Sequence, residues 1–419
     1  PGRGMTDPHV SIHNDRAYCF ATHDYSAVNP TFVMKDWWLW SSPDLVHWEL
    51  ESVLNPEDTF IGRPFDDCWA TFGVFRNDRI YWYFSAGQNE IGVVVADSPK
   101  GPWRDPLGKP LVPEGLTPTE QRDPDILLDD DGVAYIVYGT FDYFVARLGD
   151  DMISLAETPR PIRIDNPFGP YGSGRTDDKP SLHKRNGLYY LSWSSFYAVS
   201  DSVYGPYQYR GSVIDPAFVD PAFQHGNLHH DRHGNFFTWN GQWYYIFNDK
   251  SQPGCHDFFR DACQSRVHFR ENGDMAPVRL DRIGVGQYDG RSPRIEAEDF
   301  FCAVNCEKRE CPFGGFEMRG LTNGSVLEYP NIRDAGRRPR LVLRYSSASV
   351  DGAALEIRAD RPNGAIVGSC QLAGTGGWDV YQTTFCDLNL PTGTEDLGLC
   401  FLGKGTGSEA LRLDWFRLE

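Results

Sequence analysis

The sequence predicts an all-β protein in which a five-bladed β-propeller is followed by a β-sandwich of the jelly-roll type. A turn-and-strand segment recurs at an even period, and the pattern of strands changes near residue 290. The 419 residues also include 12 Trp, 20 Tyr, 26 Phe, 42 Gly and 29 Pro, a composition that suits short strands joined by tight turns. We therefore expect two domains, residues 1–290 and residues 291–419.

The period is carried by five segments, each with a turn signal followed by alternating aromatic and apolar residues. The turn signals are Asn-Asp, Asp-Gly or Asn-Gly, which are typical of β-hairpins. A tyrosine stands in each segment, and from the second segment onward it recurs about every 54 residues. A unit of this length has room for about four strands, as in a propeller blade. The tyrosines are Tyr18, Tyr81, Tyr135, Tyr189 and Tyr244.

One position near the start of each repeat carries a polar side chain in four of the five units. About eleven residues before the tyrosines stand Asp7, Ala70, Asp123, Asp178 and His233. The first strand of each propeller blade lines the central axis, so equivalent positions converge on one end of the channel. We therefore expect three carboxylates and one imidazole to face one another, although they are far apart in the sequence.

Three crowded carboxylates repel one another, and this repulsion needs compensation. A bound Ca²⁺ would provide it, because this ion prefers oxygen ligands. Acid–base catalysis is the other use: one carboxyl group stays protonated while another stays ionised, as in glycoside hydrolysis. A single Asp at such a place often only caps a turn, but three at equivalent positions favour a functional site.

Several segments taken together resemble family 43 glycoside hydrolases, over about residues 1–290. In order they are TDPHVSIHND, CWATFGVFRNDRIYWYFSA, IGVVVADSPKGPW, RDPDILLDDDG, KPSLHKRNGLYYLSWS and RHGNFFTWNGQWYYIF. Members of that family are five-bladed propellers that act with inversion, mostly on arabinofuranosides and xylosides. The resemblance implies that Asp7 is the general base and that Asp123 orients the acid and tunes its pKa. It also makes His233 a channel histidine beside a bound calcium or water.

The acid position departs from the family pattern. Family members have Glu before Gly-Pro, whereas this chain has Asp178 before Lys179 and proline, with Asp177 in front. Aspartate is one methylene shorter than glutamate, so either the loop comes closer, the substrate sits deeper, or another residue is the acid. We expect Asp178 as the acid, together with an unusual sugar or linkage. We also expect a weak surface ion pair between Lys179 and Asp177. Candidates for stacking on the sugar are aromatic residues that could instead pack inside a blade, namely Trp37, Trp38 and Trp69.

From about residue 294 the strands follow one another at sandwich-like spacing, and this part resembles family 6 carbohydrate-binding modules. The opening Ile-Glu-Ala-Glu-Asp and the closing Leu-Asp-Trp-Phe carry the resemblance. It implies that Trp378 is a sugar platform, whereas Arg412 stands in a segment where the family often has a sugar-contacting Asn, which favours a packed accessory domain. It also implies a structural Ca²⁺ site formed by Glu296, Glu298 and Asp414, with an exposed charged edge strand as the alternative.

Charge and cysteine content limit the partners and the compartment. A net charge of −18 without a basic cluster argues against a nucleic-acid partner, and no run of 18 apolar residues predicts a membrane span. Ten cysteines without a Cys-x-x-Cys pair indicate disulfides and a secreted protein. Cys255 and Cys263 could close one loop, Cys19 and Cys68 could be buried or bridged, and the six C-terminal cysteines could pair among themselves.

The sequence therefore predicts an extracellular, monomeric, inverting and exo-acting glycosidase. It would release L-arabinofuranose from plant-type polysaccharide side chains or oligosaccharides. β-Xylosidase and β-galactofuranosidase activities are alternatives on the same fold. A non-catalytic carbohydrate-binding propeller and an interaction scaffold are alternatives outside this class.

Overall fold

The five predicted repeats fold into five β-sheets, each built mainly from strands that follow one another in the chain. This is seen in a computed structural model, which describes residues 2–224, 227–391, 393 and 395–419. The five tyrosines of the repeat all stand on the second strand of their sheets. The prediction of an all-β propeller is thereby confirmed for this part of the chain.

Contacts divide the chain into two units. The first comprises Pro1–Phe237, Tyr244–Ser265 and Pro277–Asp281, and the second comprises Thr238–Trp243, Arg266–Ala276 and Arg282–Glu419. Because the units interleave along the chain between residues 238 and 282, the boundary after residue 290 stays a prediction. In the described part of the chain no helix is both long and apolar enough to cross a membrane.

The five sheets are antiparallel, except that one short strand joins the fourth in parallel. The first has β1 (Met5–His13), β2 (Arg16–Asp24), β3 (Met34–Ser42) and β4 (Glu49–Leu54), and the second has β5 (Cys68–Arg76), β6 (Arg79–Ala86) and β7 (Glu90–Ala96). The third has β8 (Asp125–Leu128), β9 (Ala134–Thr140), β10 (Asp142–Arg147) and β11 (Arg160–Pro161). The fourth has β12 (Ile164–Asp165), β15 (Pro180–Arg185), β16 (Leu188–Trp193), β17 (Phe196–Ser200) and β18 (Tyr207–Ser212), while β13 (Phe168–Gly169) pairs with β14 (Gly172–Ser173). The fifth has β19 (Gly234–Trp239), β20 (Gln242–Asp249) and β21 (Asp261–Val267).

Aromatic side chains fill the space between neighbouring sheets. Between the first two sheets, Phe20, Trp37 and Trp82 are fully buried, and each contributes about 1.5–3 kcal/mol by leaving water. Gly73 on β5 is required there, because a Cβ at this position would lie 2.2 Å from the Phe20 ring. The alternating aromatic pattern of the repeat is thus explained by packing of one sheet on the next.

The last sheet is tied to the first by side-chain hydrogen bonds. The Asn235 side chain on β19 donates to the Val10 carbonyl on β1 (3.0 Å) and accepts from the Val10 N–H (2.8 Å). Asn248 on β20 bonds the backbone N–H of Asp7 (2.7 Å) and the Thr6 hydroxyl (2.9 Å). These bonds close the ring, which brings the beginning of β1 beside the end of β20.

The second unit contains two six-stranded sheets whose facing side chains form one apolar core. Its strands are β22 (Tyr288–Asp289), β23 (Ile295–Glu296), β24 (Cys302–Val304), β25 (Glu307–Glu310), β26 (Phe316–Leu321), β27 (Val326–Arg333), β28 (Arg340–Ser347), β29 (Ala353–Ala359), β30 (Ile366–Leu372), β31 (Gly377–Asp387), β32 (Leu397–Lys404) and β33 (Leu411–Leu418). The short 3₁₀ turns among the residues that the structure describes, in both units, are Pro56–Asp58, Pro216–Phe218, Pro221–Phe223, Ala297–Asp299 and Ala335–Arg337. Two packed sheets agree with the predicted sandwich.

One disulfide is present among the described residues, and it joins Cys370 on β30 to Cys386 on β31. Each of these strands lies at an edge of its sheet, so the bond links the two sheets. The pairings suggested for the propeller are wrong, because its four cysteines are all free thiols. These are Cys19, Cys68, Cys255 and Cys263.

Candidate active site

Four residues near the starts of the first strands of their sheets, two of them predicted for the site, take an unusual backbone conformation. Asp7 (φ 47°), Asp123 (φ 57°), Lys179 (φ 68°) and Asp231 (φ 57°) all lie in the left-handed region. Residues other than glycine rarely adopt it, and such strained positions concentrate at functional sites.

A pocket of about 240 Å³ opens at this end of the propeller. It brings together all four of the polar side chains that the repeat predicted, together with Trp69 and Ala70. Further residues that line it were not anticipated as parts of the site: Phe32, Met34, Gln88, Arg122, Lys179, Asp231 and Arg260. The predicted convergence of distant carboxylates is therefore present in the structure, and the roles of the individual residues stay predictions.

Asp7 is buried, with 5% of its surface exposed, and is held by three side chains. Its Oδ1 accepts a hydrogen bond from Asn248 Nδ2 (2.6 Å) and lies 3.3 Å from Arg260 Nη1 and 3.4 Å from His233 Nδ1. Burial raises the pKa of Asp7, but the Arg260 charge and the bonds from His233 and Asn248 outweigh it and hold the pKa well below its usual range. Asp7 is thus ionised, which is the state a general base requires.

Arg260 is the centre of the charge balance, and sequence reasoning missed it. Its guanidinium group pairs with both carboxylate oxygens of Asp24 (3.0 and 3.1 Å), with Asp231 (3.1 Å) and with Asp7. Only 4% of its side chain is exposed. Arg260 stands before β21 in a segment without a repeat signal, so no pattern pointed to it. Asp231 was also missed, although its position two residues before His233, a predicted site residue, could have pointed to it.

The surroundings of Asp178 differ from the expectation. Lys179 is not at the surface: 8% of its side chain is exposed, and its ammonium contacts Asp178 Oδ1 and lies 3.7 Å from Asp177 Oδ2. Arg122 Nη1 lies 3.2 Å from the other oxygen of Asp178. The predicted pair between Lys179 and Asp177 is therefore present, but its placement at the surface is wrong, because both side chains are buried.

Asp123 contacts the backbone beside the candidate acid. Its Oδ2 accepts a hydrogen bond from the Lys179 N–H (3.2 Å), and its own N–H donates to Ser85 Oγ (2.9 Å). Asp177 is fixed by Ser194 Oγ (2.5 Å) and accepts from the Asp178 N–H (3.0 Å). Both neighbouring carboxylates therefore fix the loop that carries Asp178.

Only one of the three tryptophans proposed for the propeller site lines the pocket. Trp69 does, with the Arg122 guanidinium 5.2 Å from its ring centroid. Trp37 is wrong as a sugar platform: it is fully buried in the core, and its indole N–H donates to the Trp69 carbonyl (2.6 Å). Trp38 is half-buried, stacks on His23 (3.9 Å) and is not part of the pocket lining, so its role stays a prediction.

The carboxylates predicted to bind calcium in the second unit are not arranged as one ligand set. Asp414 pairs with Arg344, and Glu296 pairs with Arg294 Nε (2.6 Å). Glu298 is 6% exposed, and its Oε2 has no hydrogen-bond partner among the described residues. Within that part of the chain no group of three or more His, Cys, Asp or Glu side chains is placed to hold a metal ion.

Trp378, the predicted platform of the second unit, carries a cation on its ring. The Arg412 guanidinium lies 4.6 Å from the ring centroid and is clamped by Glu409 through bonds of 3.0 and 3.3 Å. Cation–π contact and this clamp occupy one face of the indole. Sugar stacking on that face would require Arg412 to move, and the role of Trp378 stays a prediction.

Comparison with known proteins agrees with both parts of this description. Residues 6–275 match the family model described as glycosyl hydrolases family 43, and residues 296–419 match carbohydrate binding module (family 6). The first match covers more than half of the chain. The chain belongs to glycosyl hydrolase family 43. It is accordingly a glycoside hydrolase of an inverting family, and the segment after the propeller is similar to family 6 carbohydrate-binding modules.

Relatives within family 43 carry several names. An arabinoxylan arabinofuranohydrolase of Paenibacillus polymyxa is 27% identical over 466 aligned positions, which cover 97% of this chain and 72% of that protein. A β-D-galactofuranosidase of Aspergillus niger is 29% identical over 307 positions, covering 67% of this chain and 84% of the relative. An arabinoxylan arabinofuranohydrolase structure from Bacillus subtilis, solved with cellotetraose, shares the fold with a TM-score of 0.57 at 23% identity, covering 99% of this chain and 96% of that one.

The channel of this family 43 propeller holds two histidines edge to face. The ring centroids of His9 and His233 lie 5.0 Å apart, and within the described residues neither Nε2 has a hydrogen-bond partner. These are nitrogen donors, whereas Ca²⁺ prefers oxygen, and Asp7 beside them is engaged by Arg260 and Asn248. Calcium beside His233 stays a prediction, and no catalytic step is routed through it.

The buried His9 predicts a pH dependence of stability. Burial, followed by the charge of His233, lowers the pKa of His9 to about 3. A histidine with a lowered folded-state pKa stabilises the fold above its unfolded pKa, and this stability is lost as the pH falls from about 6.5 toward 3. We expect His9→Phe to reduce the slope of the unfolding free energy by about 1.4 kcal/mol per pH unit in this range. Denaturant titrations at pH 4, 5 and 6 measure it, and parallel slopes for both proteins would contradict it.

Proposed function

We propose that this family 43 enzyme is an exo-acting hydrolase that releases L-arabinofuranose from side chains of plant-type polysaccharides or from oligosaccharides. The observation that carries the proposal is Asp7, a buried and ionised carboxylate in a small pocket that three other carboxylates share. Relatives named arabinoxylan arabinofuranohydrolase, which align with nearly the whole chain, support the sugar. A volume of about 240 Å³, which suits one terminal sugar, supports the exo mode of action.

The chemistry assigned to these residues is a single displacement. The Asp7 carboxylate removes a proton from a water molecule while the water oxygen bonds to the anomeric carbon. The bond from that carbon to the leaving oxygen breaks, and the leaving oxygen takes up a proton, for which Asp178 is the predicted donor. Because water enters opposite to the leaving group, the configuration of the sugar inverts. Asp123 and Asp177 position the loop of Asp178 through the contacts described above.

Two other sugars, β-D-galactofuranose and β-D-xylose, remain candidates because relatives are named after them. One relative is named β-D-galactofuranosidase and another β-xylosidase, and each aligns with about two thirds of the chain. A panel of nitrophenyl glycosides of α-L-arabinofuranose, β-D-galactofuranose and β-D-xylose distinguishes them. We expect the highest kcat/KM with arabinofuranoside, and the first product seen by NMR to have the inverted anomeric configuration. Absence of turnover on all three sugars, or retention of configuration, would contradict the proposal.

Calcium binding in the second unit is proposed on the basis of Glu298 alone. This carboxylate is buried, one of its oxygens lacks a partner within the described residues, and Glu296 lies two residues away. We expect CaCl₂ to raise the unfolding temperature relative to EDTA, since a ligand that binds only the folded state stabilises it. The matched variant Glu298→Gln should remove this difference. Identical melting curves of the wild type in CaCl₂ and in EDTA would contradict the site.

Extracellular action is likewise proposed, from the even number of cysteines. The disulfide between Cys370 and Cys386 supports this proposal, because such bonds persist in oxidising compartments.

A further inference from the structure

The candidate acid Asp178 lies between two cations. The Lys179 ammonium contacts one carboxylate oxygen, and Arg122 Nη1 lies 3.2 Å from the other. The exposed fractions of the three side chains are 8% for Lys179, 17% for Arg122 and 18% for Asp178, so water screens these contacts only partly. Both oxygens of the acid are therefore occupied by positive charge.

Other carboxylates lie near Lys179 and Arg122, but the two cations still contact Asp178. Asp177 is 3.7 Å from the Lys179 ammonium and accepts from the Asp178 N–H, and Glu120 binds Arg122 through Nε (2.7 Å). Asp123 is bonded to the backbone of Lys179, not to its ammonium. Asp231, whose pKa the Arg260, Lys179 and Lys250 charges hold below its usual range despite burial, is the remaining carboxylate facing this group.

Lys179 is held in place by its backbone. Its φ of 68° is a conformation that residues with a Cβ rarely adopt, and its N–H is bonded to Asp123. The family pattern has glycine at this position, which tolerates such a φ and carries no charge. The side chain therefore adds to this pocket a charge that the turn itself does not require.

A general acid must hold its proton until the leaving oxygen takes it. A cation next to a carboxyl group favours the ionised form, so two cations oppose protonation of Asp178. Leaving groups differ in their need for this proton: an alcohol of a sugar departs slowly without it, whereas an acidic phenol departs readily as its anion. The charge at position 179 is therefore expected to slow the cleavage of bonds to sugar alcohols more than the cleavage of bonds to acidic phenols.

We propose that Lys179 determines leaving-group specificity: its charge, in contact with Asp178, opposes protonation of this acid and so slows the cleavage of sugar–sugar bonds far more than that of sugar–phenol bonds. This inference rests on the proposed hydrolase function. With a phenol as leaving group, the anomeric carbon–oxygen bond can break without acid assistance: both electrons go to the phenol oxygen, Asp7 takes the proton of the water, and that proton later passes to solvent. Furanosides of phenols are therefore expected to react faster than the sugar–sugar bonds of the proposed polysaccharide or oligosaccharide substrate.

The test uses the full chain with an arabino-oligosaccharide and with dinitrophenyl and nitrophenyl α-L-arabinofuranosides. Lys179→Met removes the charge at similar length, and Lys179→Gly also relieves the backbone. We expect both variants to raise kcat/KM on the oligosaccharide by about ten- to a hundredfold, within the range that general acids contribute, with little change on the dinitrophenyl glycoside. The alkaline limb of the oligosaccharide pH profile should move to higher pH. Lys184→Met is the matched control, because Lys184 pairs with Asp129 outside the pocket lining. This variant should leave kcat/KM unchanged on both the oligosaccharide and the dinitrophenyl glycoside.

Each outcome decides the matter. Active Lys179 variants with the wild-type ratio of oligosaccharide to dinitrophenyl rates would overturn the proposal and leave the hydrolase function standing. No turnover of any substrate by any of the proteins would overturn the hydrolase function, and the proposal with it. Should the variants fail to fold, the wild type alone decides: log kcat/KM must fall steeply as the leaving-group pKa rises, and a flat dependence overturns the proposal.

Discussion

Replacement of Asp7 by Asn is expected to lower kcat by about 10²- to 10⁴-fold with little change in substrate affinity. Asparagine has nearly the same shape and tolerates the left-handed backbone at this position, but it cannot accept the proton of the attacking water. Its side-chain oxygen can still accept the hydrogen bond from Asn248. Steady-state kinetics on the arabinofuranoside measure kcat, and binding of the product sugar by calorimetry measures affinity.

The matched control for this substitution is Asp15→Asn. Asp15 lies in the exposed turn between β1 and β2 and has a similar φ of 53°, so the two changes make the same demand on the backbone. We expect Asp15→Asn to retain wild-type kcat. Full activity of Asp7→Asn would remove Asp7 as the base, and equal losses in both variants would indicate a structural effect.

Substitution of Arg260 by Met is expected to cost about 3–5 kcal/mol of unfolding free energy. Removing one partner of a buried ion pair leaves uncompensated charge, and here three carboxylates would lose the same partner: Asp7, Asp24 and Asp231. Arg63→Met is the control, because Arg63 is exposed and a surface change of this kind stays within about 0.5 kcal/mol. Denaturant unfolding followed by the fluorescence of buried tryptophans measures both variants.

A second readout separates the electrostatic role of Arg260 from mere packing. Because the Arg260 charge holds the pKa of Asp7 down, its loss raises that pKa. The acid limb of kcat/KM in folded Arg260→Met should then move to higher pH. If the variant is as stable as the wild type, Arg260 does not stabilise the buried carboxylates. If the acid limb does not move, Arg260 does not hold the pKa of Asp7 down.

The sequence was sufficient for the fold and for the convergence of the acids because both follow from the period. Each repeat tyrosine stands on a second strand, and an offset of about eleven residues from it reaches the inner end of a first strand. Propeller geometry then brings Asp7, Asp123, Asp178 and His233 to one pocket without further information.

Sequence reasoning failed where position depends on a turn or on packing between sheets. Lys179 was assigned to the surface, because a left-handed backbone cannot be read from a lysine. Trp37 and Trp38 are adjacent on β3 and so point to opposite faces, and Trp37 faces the core. Arg260 lies directly before β21, the last strand of the propeller, and only the closure of the ring of sheets places it beside Asp7 on β1.

The central claim is that carboxylates from separate blades act on one bond. A crystal structure of Asp7→Asn with a bound arabino-oligosaccharide tests it most directly. We expect the terminal sugar in the pocket, with a water between residue 7 and the anomeric carbon and with Asp178 near the leaving oxygen on the opposite side. A sugar bound elsewhere on the propeller, or bound with its anomeric carbon turned away from residues 7 and 178, would show that these carboxylates do not act together on the bond.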